Sequence, residues 1–519
     1  MIWGLGGELS PLSLSLVLSL PEDSWCSIEV RELVVELNPC VAIPSMACVA
    51  YTIRGTLKLA VTRRTSNPSC GGCKSSVSFP FSQGWSRDCS SLAIRHVASH
   101  CHVASVRWRS SLEASATHAD IVSGEKITIL VIGGGGREHA ICYALNRSPS
   151  CSSVLCAPGN AGIPQSEDTT CISDLDISDS NVVISFCRTR GVGMVVVDPE
   201  APLVAGLSND LVKAGIPTFG PSLEAATLEG SKDFMKKLCD KYNIPTAKYC
   251  TFMDAAEAKE YVKHQGASIV VKADGLAAGK GVVVAMTLDE AFEAIDSMLV
   301  QGSFGSAGSR VIIEEFLEGE EASFFALVDG ENALPLESAQ DHKRVGDGDI
   351  GPNTGGMGAY SPAPIVTEEL KGIVMESIIV PTVKGFLNLS NTMYDLVIQN
   401  DRGELGKVPL TWSPEIAMVV VMANQGYPGS YKKGTVIRNV DKAEQVSPGV
   451  KIFHVGAALD GDGNLVAVGG RVLGVTAKGK HIEEARARAY DAVDAVDWPE
   501  GFVRRDIGWR ALRLKQMAK

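Results

Sequence analysis

The stretch that most constrains this chain is Val270 to Ala285, VVKADGLAAGKGVVVA, in which β-branched apolar residues bracket a glycine-rich turn carrying two lysines. Two such runs joined by a turn predict a β-hairpin. Gly275, Gly279 and Gly281 let backbone N–H groups approach an oxyanion with no Cβ in the way, while Lys272 and Lys280 add positive charge. That is a cradle for a polyphosphate, for which a nucleotide is the natural source. A Walker A loop is excluded. Three residues separate Gly275 from Gly279, Lys280 is followed by Gly281 rather than Ser or Thr, and a strand follows where a helix would be needed. A tight hairpin with surface lysines is the plainer alternative.

At 519 residues, with 45% hydrophobic and 21% charged residues, the chain has the make-up of a globular protein of more than one domain. The longest apolar run, Leu12 to Leu20, is short, rich in serine and flanked by Glu8 and by Pro21, Glu22 and Asp23, which argues against a membrane helix and a secretory signal. Seven of the 14 cysteines precede residue 124 and seven lie between Cys142 and Cys250, which is no disulfide framework. Cys70 and Cys73 have zinc-site spacing, but no second pair follows, so no zinc is assigned. From Met46 to Leu112 nine Lys or Arg face one acid, Asp88, among thirteen serines. This is transit-peptide composition, so residues 1–123 read as a leader to the plastid, or alternatively to the mitochondrion. The remainder carries a net charge of -13, which makes nucleic acid a poor partner.

Regular structure is expected from Lys126, where ITILVIGGGGREHAICYALNRS reads as a buried strand, a glycine turn and a helix, the opening of a doubly wound α/β unit. Glu138 stands where a dinucleotide fingerprint needs its last glycine, so NAD is disfavoured. Arg137 and the N–H groups from Gly136 onward can still receive an anion such as a sugar phosphate. Strands at Val154 to Ala157 and Met194 to Val197 end in polar loops, Pro158-Gly159-Asn160 and Asp198-Pro199-Glu200, which place those loops on one rim.

Helices are predicted over Gly230 to Tyr242 and Asp289 to Leu299, on either side of the lysine hairpin. Arg310 to Leu317, RVIIEEFL, is an apolar strand running into carboxylates, which suits either a nucleotide-binding hinge or a strand with a solvated acidic end. Glu318, Glu320 and Glu321 extend the acidity towards ribose hydroxyl or metal contacts. Ser338 to Tyr360 is the densest polar run, with Asp341, His342, Lys343, Arg344, Asn353 and Thr354 among six glycines. It reads as a long functional loop; a flexible linker is the alternative, which would be richer in serine.

With these motifs in this order the chain resembles the phosphoribosylamine-glycine ligase (glycinamide ribonucleotide synthetase) family of ATP-grasp enzymes. The resemblance spans most of residues 126–512 and rests on GGGGREHA, APGNAG, PEAPLV, LEGSKDFMK, VKADGLAAGKGV, IIEEFLEGEEASF, QDHKRVGDGD, GPNTGGMGAYSPAP, GYPGSY, GGRVLGVTA and RRDIGWRAL. It implies an α/β architecture: a doubly wound parallel-sheet domain at 124–228, an ATP-grasp domain at 229–412 with a lid at 245–313, and a small C-terminal α/β domain at 413–519. It implies that ATP, glycine and 5-phosphoribosylamine are bound by a monomer, with glycine activated as an acyl phosphate. Lys232, Lys272, Gly279, Lys280 and Gly281 would grip the phosphates, Glu314, Glu315, Phe316 and Leu317 would form the adenine hinge, and Glu321 would meet the ribose. Asp341, Lys343 and Arg344 would work at the transferred phosphoryl group, with Asn353, Thr354, Gly356 and Met357 beside them. Gly136, Arg137 and Asn160 would serve the phosphoribosylamine or glycine side.

The resemblance lapses after Lys384-Gly385. The family's TGxLYAGLM-type and IEFNxRFGDPE-type strands are missing, and with them the Glu and Asn that hold magnesium or manganese. Asp395, Asn400 and Asp401 are nearby oxygen ligands, in a polar loop setting that favours solvent exposure. The expectation is a truncated grasp sheet after residue 385, no metal ligands there and a collapsed rate. A non-catalytic nucleotide-binding relic or splice product is therefore an alternative, as is another ATP-grasp ligase acting on a different carboxylate. Asp198 and Ile350 also depart from the family, which favours glycine and threonine there.

Overall fold

The computed structural model describes residues 126–517, apart from 167, 278–280, 329–331 and 390–411, and gives only the backbone of 166, of 386–389 and of three short strands at Leu14–Val17, Arg31–Leu37 and Ile53–Leu57. Asp395, Asn400, Asp401, the lapse after Gly385 and the expected leader therefore lie wholly or largely outside the described residues.

The N-terminal part is a parallel sheet. Strand β1 (Ile127–Gly133) lies at its centre, paired with β2 (Cys151–Pro158) on one side and, beyond helices α1 (Gly136–Leu145) and α2 (Ser180–Arg190), with β4 (Val192–Val197) on the other. Strand β3 (Thr169–Cys171) and β5 (Thr218–Phe219) complete the order β3-β2-β1-β4-β5. The near-continuous apolar reading of β1 and β4 follows from burial on both faces, with Ile129 and Val131 in one cluster and Leu130 and Ile132 in another. Succession reverses between β1 and β4, so the crevice beyond their C-terminal ends is where ligands of such sheets sit.

Next come α3 (Leu223–Gly230) and α4 (Lys232–Tyr242), two helices where one was expected. Ser231 breaks them with extended backbone and caps α4 through its hydroxyl. An antiparallel sheet follows, ordered β8-β7-β9-β6, made of β6 (Tyr249–Phe252), β7 (Ile269–Ala273), β8 (Val282–Ala285) and β9 (Val311–Glu315). Helices α5 (Ala255–Gln265) and α6 (Leu288–Ile295) cover one face, against Val271 and Ile313. By the two-residue period of strands, Lys272 and Glu314 point to the other face.

The polar run is a set of short antiparallel ladders rather than the expected long loop. Strand β12 (Gln340–Asp341) pairs with β15 (Gly358–Ser361), and β13 (Arg344–Gly346) pairs with β14 (Ile350–Asn353). Strands β10 (Ala326–Val328) and β11 (Ala333–Pro335) form a separate pair, packed with α7 (Glu368–Val374). Pairing satisfies backbone groups that a buried loop would strand. Strand β15 continues into a C-terminal sheet through β16 (Ile416–Asn424), then β18 (Arg471–Gly479) and β17 (Lys451–His454). Helix α8 (Ile482–Ala495) lays Ala485, Ala489, Ala492 and Val493 on this sheet, with Val496 just beyond them, the apolar face read from the sequence. Among the described residues no helix is long and apolar enough to cross a membrane.

Candidate active site

Three groups of polar residues stand out. The first lies on the open face of the β6–β9 sheet. Glu314, 2% exposed, is shared by Lys272 at 2.8 Å and Lys236 at 3.3 Å. Lys236 also donates to Thr246 Oγ1 at 2.7 Å and to the Ala247 carbonyl at 3.2 Å. Lys232, fully buried at the start of α4, donates to the carbonyls of Asp274 and Gly275 at 3.3 and 3.2 Å. Burial draws its pKa down to about 8, against the upward pull of Glu229. Three lysines thus converge beneath the turn after β7, which is closed where the Ala273 N–H meets the Gly281 carbonyl at 2.7 Å. Gly279 and Lys280 lie outside the described residues.

The hinge residues divide. The Glu314 side chain serves the lysines. The Glu315 N–H donates to the Lys248 carbonyl at 3.0 Å, and its carboxylate accepts from the Lys248 N–H at 2.9 Å. Phe316 and Leu317 follow directly after β9, Leu317 being buried.

The second group is the β13–β14 hairpin and its surroundings. Lys343 pairs with Glu321, so the residue assigned to ribose is engaged with a residue assigned to the phosphoryl group. Arg344 donates to the Gly351 carbonyl at 2.8 Å and faces Asn353 across the hairpin. Thr354 ties its N–H and its hydroxyl to the Lys343 carbonyl, both at 2.8 Å, and accepts from the Gly356 N–H at 3.0 Å. Met357 is fully buried beside Ala423 and Tyr427, so its side chain belongs to the core here. Asp341 lies on β12, opposite Ala359.

Residues from the far end of the chain hold this group, and sequence reasoning gave them no role. Arg471 donates to the Gly355 carbonyl, and the Gly355 N–H donates to the Tyr427 hydroxyl at 3.2 Å. A Cβ on Gly355 would lie 2.6 Å from the Arg471 guanidinium, so only glycine admits this approach. The signal was the presence of the GYPGSY and GGRVLGVTA motifs, whose partners could not be assigned without the fold.

The third group sits at the crevice between β1 and β4. Arg137, in the first turn of α1, meets Asp198 at 2.9 Å and Glu200 at 3.0 Å, and Glu138 is close enough to act on it. Asp198 is 1% exposed, and burial with Glu138 beside it pushes its pKa well up despite Arg137. Asn160 is a structural knot: its amide donates to the Gly134 carbonyl at 2.9 Å and the His454 carbonyl at 3.0 Å, and its oxygen accepts from the Gly162 N–H at 2.9 Å. Gly134 is required by contact, since a Cβ there would lie 2.4 Å from the Gly159 carbonyl. Gly136 opens α1 beside Arg137, buried like it. The structure thus brings Gly136, Arg137 and Asn160 together, and Lys232 with Lys272 and Glu314, while the Lys343 and Arg344 group is gathered by C-terminal residues.

These groups fall within three successive family matches. Residues 127–229 match the N domain of phosphoribosylglycinamide synthetase, 230–398 its ATP-grasp (A) domain and 417–510 its C domain. The chain is 64% identical over 453 residues to the chloroplastic phosphoribosylamine–glycine ligase of Arabidopsis thaliana, covering 76% of this chain and 85% of that one. It is 49% identical over 428 residues to the phosphoribosylamine–glycine ligase of Brucella melitensis, covering 75% and 99%. Among solved structures, the phosphoribosylamine–glycine ligase of Thermotoga maritima superposes with a TM-score of 0.60 at 29% identity, covering 74% of this chain and all of that one. The biotin carboxylase domain of the Hydrogenobacter thermophilus 2-oxoglutarate carboxylase shares the fold, with a TM-score of 0.54 at 12% identity, covering 73% and 92%. The chain belongs to the phosphoribosylamine–glycine ligase family, with its N, ATP-grasp and C domains in order.

Proposed function

We propose that this chain joins glycine to 5-phosphoribosylamine in purine biosynthesis, with ATP converted to ADP and phosphate, and that it works in the plastid. The relative that is 64% identical is a chloroplastic ligase, and the basic, serine-rich composition from Met46 to Leu112 suits import. The single observation that carries the reading is the convergence of Lys232, Lys236 and Lys272 on one buried face, two of them sharing Glu314. Three buried ammonium groups gathered on one face are the charged donors that a polyphosphate would meet.

In the first half-reaction a glycine carboxylate oxygen attacks the γ-phosphorus and ADP leaves. In the second, the amine attacks the acyl carbon, phosphate leaves and the amine loses a proton. Attack by a carboxylate on a polyphosphate is opposed by charge, so the lysines and the turn at 274–281 supply the main stabilisation. Leu317 and the neighbouring backbone after β9 would take the adenine. Glu321 would reach the ribose by releasing Lys343 towards the phosphoryl group, alongside Arg344 and Asn353. Thr354, Gly356 and Met357 act by shaping the turn behind them. Gly136 and Arg137 border the crevice for the sugar phosphate or glycine.

ATP-grasp enzymes use a divalent metal with ATP. The described residues do not supply a site for one: they contain no group of three His, Cys, Asp or Glu able to hold a metal, and Glu314 is committed to two lysines.

The test is ADP release by the purified chain supplied with ATP, Mg²⁺, glycine and phosphoribosylamine. Release that requires both co-substrates is expected; turnover indifferent to either would overturn the reading. Folded protein that binds ATP and never turns it over would instead favour a nucleotide-binding role.

A further inference from the structure

The tip of the β13–β14 hairpin, residues 347–349, carries two aspartates, and its partners come from residues 504–510. Arg504, its side chain fully buried, donates to Asp349 Oδ1 at 2.9 Å and to the Arg344 carbonyl at 3.0 Å. Its Nε and second Nη hold Asp506 in a two-pronged pair, both at 2.8 Å. Arg510 meets the other oxygen of Asp349 at 2.5 Å and reaches the Asp341 carbonyl at 3.4 Å. The backbone closes the set. The Arg505 N–H donates to Asp347 Oδ1 at 2.7 Å, the Gly348 N–H to Asp506 Oδ2 at 2.8 Å, and the Gly508 N–H to His342 Nε2 at 3.3 Å.

Burying an arginine against carboxylates is a weak way to gain stability, because desolvation cancels most of the attraction. What such a network does well is fix geometry, since the guanidinium fork admits few arrangements. Here the fixed object is the main chain of residues 341–349, from which the Lys343 and Arg344 side chains depart. Gly348 and Asp349 have φ of +70° and +57°, so the turn between the strands is a tight one whose shape the clamp holds.

We propose that Arg504 and Arg510 are positioning residues, anchored on Asp349, through which the C-terminal segment sets the hairpin that presents Lys343, Arg344 and Asn353 to the reacting groups. The proposal rests on the ligase reading above. Neither arginine touches substrate; both act by placing the hairpin.

The experiment compares the full chain with Arg510→Ala, Arg510→Lys, Asp349→Asn and the Arg510→Ala/Asp349→Asn double variant. Arg510 is the better target, since its side chain is 19% exposed while that of Arg504 is sealed. Each single change should lower kcat about tenfold or more, because misplacing a group by an ångström has effects of that size. The double variant should be no worse than either single one, and Arg510→Lys should fail to restore the rate, since an ammonium lacks the fork. ATP affinity and Tm should stay near those of the parent. Additive losses, an unchanged kcat, or ATP affinity and Tm falling in step with kcat would each overturn the proposal. A second readout is amide exchange at Thr354, whose N–H bonds the Lys343 carbonyl. Both single variants should speed it, and unchanged exchange would overturn the proposal even if the parent chain proved inactive. An inactive parent with faster exchange in the variants would count against the ligase reading alone.

Discussion

One buried charge cluster lies on the open face of the β6–β9 sheet and another at the crevice between β1 and β4, and their charge balance differs. Under the β7 turn three lysines, Lys232, Lys236 and Lys272, are gathered around Glu314 with Glu229 and Asp274 nearby, the last also paired with Arg310 at 3.3 Å. Beyond β1 and β4 one guanidinium, Arg137, is surrounded by Glu138, Asp198 and Glu200. Buried charge of one sign is tolerated only where a partner of the other sign arrives or a proton is gained or lost. The lysine cluster has a cation for each carboxylate around it, whereas the Arg137 cluster already holds more carboxylate than it can neutralise. Arg137 reads from sequence as an anion receptor; the structure shows it first as a counter-ion.

The sharpest way to break this contrast is Arg137→Ala. Removing one side of a buried ion pair leaves its carboxylates stranded, at a cost of about 3–5 kcal/mol. Urea denaturation should show that loss, and a midpoint close to the parent's would mean that Arg137 is an unfilled receptor after all. Lys272→Met should behave differently, because Glu314 keeps Lys236 at 3.3 Å. The fold should persist while ATP-dependent ADP formation falls about 10²-fold, the loss typical when one preorganised stabilising group is removed. A pH series adds to this. Burial holds Lys232 at about 8, and a bound polyphosphate would raise that value. ATP affinity should thus be full below pH 8 and decline as pH rises above it. A flat profile from pH 7 to 9 would remove Lys232 from the site.

Much of this contrast was legible in part. Lys272 stood out because a lysine amid β-branched residues at strand period has to point somewhere specific, and Asp198 stood out at the end of an apolar strand. Lys236 did not, since α4 reads KDFMKKLCDKY and nothing local separates its buried lysine from exposed Lys237. Glu314 was read as a hinge residue because its role depends on pairing with a strand 42 residues earlier, with Val270 opposite it and Lys272 next on that face. The hairpin at 344–353 was read as a loop, since strands of three and four residues are too short to show a period and glycines hide the turn. The partners of Arg471, Arg504 and Arg510 were illegible for a simpler reason. These contacts join residues more than a hundred positions apart, and no local pattern encodes a partner at that distance.

A third difference concerns histidines rather than lysines or carboxylates. His139 accepts from the His454 N–H at 3.0 Å, and His342 accepts from the Gly508 N–H, so each offers a bare ring nitrogen and is neutral. Burial first, then nearby cations, lowers His139 to about 2, His342 to about 3 and His454 to about 4. Between pH 6.5 and 4 the unfolded chain takes up protons that the folded chain refuses. Stability should therefore be lost as pH falls through that window, by up to about 1.4 kcal/mol per pH unit for each histidine. The Tm should drop steadily from pH 6.5 to 4.5, less steeply in His342→Asn. Equal slopes in parent and variant would show that this histidine is not neutral by burial.

The smallest effect is expected at Asp198, and it bears most directly on the comparison. A 2.9 Å approach to Arg137 Nε suggests a full ion pair, whose loss would be as costly as that of Arg137 itself. Yet the residue is 1% exposed, burial is the largest influence on it, and Glu138 and Glu200 add further negative charge. With three carboxylates on one guanidinium, one of them is best kept protonated, and the most buried is the natural choice. An amide of the same size then replaces a neutral acid. Asp198→Asn should cost under about 1 kcal/mol, within the range of a single exchanged hydrogen bond. It should also leave Arg137 more open to an anion, so that ribose 5-phosphate, titrated calorimetrically, binds at least as tightly as in the parent. A stability loss matching that of Arg137→Ala would instead make Asp198 the essential counter-ion. The crevice beyond β1 and β4 would then be a balanced pair, no longer the carboxylate-rich counterpart of the lysine cluster.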